Sequence, residues 1–82
     1  MSTASGTWQL TPAQFAQAAD DINAVGGHIN GDKGSEHVDW TTINYSYDDS
    51  RTLTVTASGM FAGMAISKIA DEVAKVGGTQ TC

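Results

Sequence analysis

The residues best suited to chemistry fall in one short stretch: His28, Asp32, Glu36, His37 and Asp39. Imidazoles and carboxylates are ordinary ligands of zinc and other divalent metals. Their spacing fits no familiar geometry, because no two histidines stand one helical turn apart. Asn30-Gly31-Asp32-Lys33-Gly34 also lacks the alternating acids and the sixth-position glycine of a calcium loop. Residues 28–39 read better as a solvated, glycine-containing loop. His28, Asp32, Glu36 and His37 are the metal-ligand candidates it leaves, and no cofactor is expected. The carboxylate pairs Asp20-Asp21, Asp48-Asp49 and Asp71-Glu72 are adjacent in sequence, so their side chains diverge and stay hydrated. Serines and threonines are plentiful, but none sits in a G-x-S-x-G turn. No phosphate-cradling G-x-x-x-x-G-K-[ST] or G-x-G-x-x-G run occurs. Cys82 has no partner for an internal disulfide and no sequence neighbour that would activate a thiolate. No catalytic signature emerges, and the chain does not read as an enzyme.

Recognition chemistry is better represented. Val38 and Trp40 fall on even positions of an apparent strand whose other large side chains, Ile43, Tyr45 and Tyr47, fall on odd ones. A regular strand would leave Trp40 outside, where an exposed indole is a natural binding hot spot. A β-bulge near Thr41-Thr42 would instead turn it into the core, and a core so short of large side chains favours the bulge. Met60 and Phe61 lie between Gly59 and Gly63, and Met64 directly after them, at the start of a helix-like segment, with both methionines off its main apolar stripe. Flexible thioethers serve in cores as gap fillers and on surfaces as adaptable contacts. Val38, Trp40, Met60, Phe61 and Met64 are therefore the interaction candidates.

Composition narrows the partners. With 82 residues the chain has room for one domain, and 9 acids against 4 bases give a net charge of −5. The four bases, Lys33, Arg51, Lys68 and Lys75, are scattered, so nucleic acid and anionic membrane surfaces are disfavoured. An acidic mimic of nucleic acid is conceivable, although the acids form no regular row. No apolar run approaches the ~20 residues needed to cross a bilayer, and the first six residues carry no secretory pattern. The Ala/Gly/Thr-rich, Lys-poor composition suggests a bacterial or phage origin, and the lack of such a run or pattern a soluble, cytoplasmic protein. Leu, Ile, Val and Phe make only 14 of 82 residues, so the core must be thin.

The elements that must position these side chains are legible. Residues 1–6 read as a frayed terminus, and Trp8–Leu10 as an extended lead-in or short strand. Thr11 as N-cap, Pro12 at the first helical position, Gln14 completing a capping box and Leu10 with Phe15 as a hydrophobic staple all predict one helix start. That helix runs from Pro12 to Val25 and stops at Gly26-Gly27. Residues 38–47 form a strand and 51–58 a second, with Leu53, Val55 and Ala57 alternating against Thr52, Thr54 and Thr56. Matching apolar faces sets Tyr47 opposite Leu53, Tyr45 opposite Val55 and Ile43 opposite Ala57, around a loop of Asp49-Ser50-Arg51. Ser58 or Gly59 caps a second helix, striped by Ala62, Ala65, Ile66, Ile69, Val73 and Val76, supported by an Asp71–Lys75 pair and ended by Gly77-Gly78. Residues 79–82 are a tail, and 7–78 the single domain. The predicted fold is α+β, a two-layer (β)αββα sandwich with two helices on one face of a small antiparallel sheet. The predicted function is a non-catalytic accessory or interaction module, an inhibitor, adaptor or subunit that binds another protein or itself as a homodimer. A small-ligand or metal-binding module using the 28–39 loop is the alternative.

Overall fold

The computed structural model describes residues 2–82. Seven elements follow in order: β1 (Ser2–Gln9), α1 (Pro12–Ala24), β2 (Lys33–Val38), β3 (Thr41–Tyr47), β4 (Thr52–Gly59), α2 (Ala62–Lys75) and β5 (Thr79–Gln80). Every strand pairing is antiparallel, and the sheet order is β2-β3-β4-β1-β5. The two helices lie on one face, as the apolar patterning requires, and the protein is a two-layer α+β fold.

The start of α1 is built locally. The Thr11 side chain accepts from the Gln14 amide, and the Gln14 side chain accepts from the Thr11 amide. Both helices then end alike. In α1 the Gly27 amide donates to the Ile22 carbonyl at 2.9 Å with Gly26 at φ 103°; in α2 the Gly78 amide donates to Val73 at 2.9 Å with Gly77 at φ 92°. Each is a Schellman motif, so the shared Val-Gly-Gly sequence has one physical cause. The predicted β3–β4 register holds at Tyr47↔Leu53, Tyr45↔Val55 and Ile43↔Ala57.

Several expectations are corrected. Residues 2–6 are not frayed: they extend β1, which pairs with β4 over its whole length from Ser2↔Gly59 to Gln9↔Thr52. Small polar residues suit this position, because alternate ones face water and Gly6 leaves room for the Trp8 ring, whose carbons lie 2.4 Å from where a Cβ would stand. Met1, the first residue of that expectation, lies outside the described residues. The 79–82 tail is tied down as well, with β5 on the edge of β1 and the Thr7 amide donating to the Cys82 carbonyl. Residues 28–39, expected as a loop, contain β2, held to β3 from Lys33↔Ser46 to Val38↔Thr41. Neither Ser58 nor Gly59 caps α2, since both belong to β4; the N-cap is Phe61, with no side-chain cap of its own. Lys75 pairs with Glu72 at 3.1 Å rather than with Asp71.

The core lies between the sheet and helices, around Trp8, Val55 and Val73, each nearly inaccessible. Phe15 of α1 stacks on Tyr47 of β3 with ring centroids 4.3 Å apart, which seats the helix on the sheet. The Tyr47 hydroxyl donates to the Leu10 carbonyl at 2.7 Å, and burial raises its pKa above the ordinary value. Among the described residues no helix is long and apolar enough to cross a membrane.

Candidate functional site

The parity break between Val38 and Ile43 comes from a two-residue turn. Asp39 (φ 50°) and Trp40 (φ 63°) join β2 to β3, and Val38 pairs directly with Thr41. Positive φ at both central residues is the type I′ geometry that normally selects Asn-Gly. There is no bulge at Thr41-Thr42, and Trp40 is 84% exposed instead of buried. The thin core is completed by Trp8 on β1, so the indole expected to be indispensable inside is the other one.

The turn is fastened from behind. The Trp40 carbonyl accepts the Met60 amide at 3.1 Å, and the buried Thr41 hydroxyl accepts the Phe61 amide at 3.1 Å while donating to the Asp39 carbonyl at 3.3 Å. Gly59, at φ 129°, lets the backbones meet: a Cβ there would lie 2.3 Å from the Trp40 carbonyl oxygen. These bonds bring the β2–β3 turn and the β4–α2 junction together at one end of the sheet. Trp40, Met60 (67% exposed), Met64 (56%) and Phe61 (39%) therefore share one tip. Val38 is half-buried behind it. Thr41 and Gly59 are the positioning residues that sequence reasoning missed. The available signal was the even-to-odd switch itself, which a two-residue turn produces as readily as a bulge.

The metal-ligand candidates are not gathered. Strand alternation sends Glu36 and His37 to opposite faces of β2. The Glu36 carboxylate accepts the His28 amide at 2.7 Å, whereas the His37 ring bonds the Thr42 hydroxyl at 2.9 Å. Among the described residues no three His, Cys, Asp or Glu side chains converge. The chain from 28 to 32 instead folds over the sheet, clamped by the Tyr45 hydroxyl, which accepts the Asn30 amide at 2.8 Å and donates to its carbonyl at 3.1 Å. Between this segment and α1 runs an open groove of about 340 Å³, bordered by Pro12, Phe15, Asn23, Ile29, Asp32 and Tyr47. Among the described residues no buried side-chain polar atom lacks a hydrogen-bond partner.

No protein-family model, curated protein or solved structure matches the chain.

Proposed function

We propose that this chain is a non-catalytic interaction module, an inhibitor, adaptor or small subunit, that engages a protein partner through the Trp40 tip. One observation carries the reading: a bulky aromatic is held in the left-handed region at the apex of a tight turn, 84% exposed. That conformation costs a non-glycine residue roughly 1 kcal/mol, and such strain concentrates at functional sites. The turn is braced by two hydrogen bonds from the next junction, so the indole is presented on a fixed backbone and binding needs little loop ordering. Met60 and Met64 add an adaptable apolar surround. The partner is a protein with an apolar pocket wide enough for an indole. A single cysteine, with no partner for an internal disulfide, suits a cytoplasmic setting.

The test is affinity capture from the native cell with mass spectrometry, together with capture of a differently tagged copy of the chain. Wild type is compared with Trp40→Ala, Met64→Ala and the remote Asp71→Ala. Loss of a captured protein in the two tip variants but not in Asp71→Ala is expected. Retention of every partner by Trp40→Ala overturns the reading.

The groove between α1 and residues 28–32 favours a second reading, a small-ligand module. Its floor is the Phe15–Tyr47 stack and its rim carries Asp20 and Asp32, a setting for an aromatic or amine-bearing ligand. A melting shift with such a ligand at constant mass, abolished by Asp32→Ala, would support it.

A further inference from the structure

We infer that the partner of this tip is a second copy of the chain, docked antiparallel along the free edge of β2. The inference rests on the interaction reading above and names its partner. The Tyr47 amide bonds the Asp32 carbonyl, and Val38 and Thr41 flank a two-residue turn. Together these fix the hydrogen-bonding parity of β2: residues 32, 34, 36 and 38 bond to β3. The amides and carbonyls of Lys33, Ser35 and His37 therefore point away from the sheet, and among the described residues no strand pairs with them. Edge strands are commonly blunted by proline, a bulge, lysines or inward-pointing charges, and β2 carries Lys33 and Glu36 of these. β2 has no proline, and its register with β3 is unbroken. The opposite edge is different, since β5 and residues 81–82 already occupy Thr7 and Gln9.

The β2 edge is complementary to itself. A two-fold axis through the sheet requires residues of equal parity to face each other, and the free groups centre on Ser35. Ser35 then faces Ser35 of the second copy and Lys33 faces His37, for about six main-chain hydrogen bonds. On the helix-bearing face Gly34 stands directly opposite Glu36, and the two Glu36 side chains are diagonal neighbours. Lys33, which has no ion pair within the chain among the described residues, becomes the diagonal neighbour of Asp39 twice over. The same register sets Val38 of each copy opposite Asp32 of the other, so the Trp40 turn reaches the Tyr47 end of the second sheet. That is where the groove bordered by Ile29, Asp32 and Tyr47 opens. The exposed indole and the unfilled groove thus become two halves of one contact, made twice.

Sedimentation equilibrium of the full chain is combined with amide hydrogen exchange over a concentration series. Mass is expected to rise from 8.5 kDa toward twice that value. The Lys33, Ser35 and His37 amides should become protected as it rises, while Gly34, Glu36 and Val38 are protected throughout. Ser35→Pro removes an outward amide without breaking a bond to β3, so the monomer keeps its far-ultraviolet dichroism and the dimer weakens about tenfold or more. Lys33→Glu should weaken it less, and Lys33→Glu with Asp39→Lys should recover part of the loss. A chain monomeric at all concentrations, or a dimer indifferent to Ser35→Pro, overturns the proposal. If the chain is monomeric but Trp40→Ala loses another captured protein, the second copy is refuted and the tip reading stands. If Ser35→Pro dissociates a dimer that Trp40→Ala leaves intact, the second copy is refuted as the partner of the tip; if Trp40→Ala also retains every other captured protein, the tip reading fails with it.

Discussion

The two hairpins share β3 and meet the same requirement, a residue with positive φ, in opposite ways. At the β3–β4 turn the left-handed residue is Arg51, φ 62°, closing a three-residue loop. Its bracing is local: the Asp48 carboxylate accepts from the Ser50 amide at 3.0 Å, the Ser50 hydroxyl at 2.6 Å and the Thr52 amide at 3.1 Å. At the β2–β3 turn two residues are left-handed, one of them a tryptophan, and the bracing comes from Met60 and Phe61, twenty residues away. A turn stabilised by its own side chains is an ordinary connection. At the second turn the apex tryptophan disfavours the conformation and the rest of the chain holds it in place, which is the strain that supports the proposed recognition role.

The comparison can be broken, beginning with the largest effect. Gly59→Ala drives a methyl into the Trp40 carbonyl at a positive φ, and should cost about 3 kcal/mol in urea unfolding. A loss under about 1 kcal/mol would mean that the tip is not locked to the β4–α2 junction. Trp40→Gly should raise stability by roughly 0.5–1 kcal/mol while abolishing partner binding, since glycine adopts the left-handed conformation freely. Opposite signs in the two measurements are the signature of a side chain kept for recognition; a loss of stability would return Trp40 to a structural role. Arg51→Gly relieves the same kind of strain and should gain about 0.5 kcal/mol with binding unchanged. Parallel binding losses at Arg51 and Trp40 would erase the distinction between the hairpins.

The smallest effect concerns pH. Hydrogen bonds, first from the Ser50 hydroxyl and then from the Thr52 amide, hold the Asp48 carboxyl below its ordinary pKa of 3.8. The folded state therefore favours the charged form. The stability this confers is present above 3.8 and is lost as pH falls through the depressed value. The difference in melting temperature between wild type and Asp48→Ala should shrink below about pH 4. A difference that persists unchanged at pH 2 would show that the carboxylate does not brace this turn.

What could be read from the residues divides along the same line. The α1 start was legible because Thr11, Pro12 and Gln14 satisfy one another within four residues. The β3–β4 register was legible because three apolar pairs admit one alignment. The start of α2 was not, because the Phe61 amide is satisfied by Thr41 across the sheet. β2 was not either: Lys-Gly-Ser-Glu-His-Val has no apolar alternation, and it is a strand because β3 offers it a ladder. Trp40, Met60, Phe61 and Met64 were legible as apolar residues off the main patterns, but their exposure at one end depends on those remote bonds.

The sequence by itself determined two helices, their Schellman ends, the central hairpin and a two-layer α+β architecture. Each of these is encoded by neighbours in the chain or by a repeating apolar face. Only the tertiary structure decided which tryptophan fills the core, how strands β1, β2 and β5 complete the sheet, and that Trp40 stands exposed beside Met60, Phe61 and Met64. Those outcomes rest on backbone groups satisfied by partners far away in sequence, and no local pattern records where such partners lie.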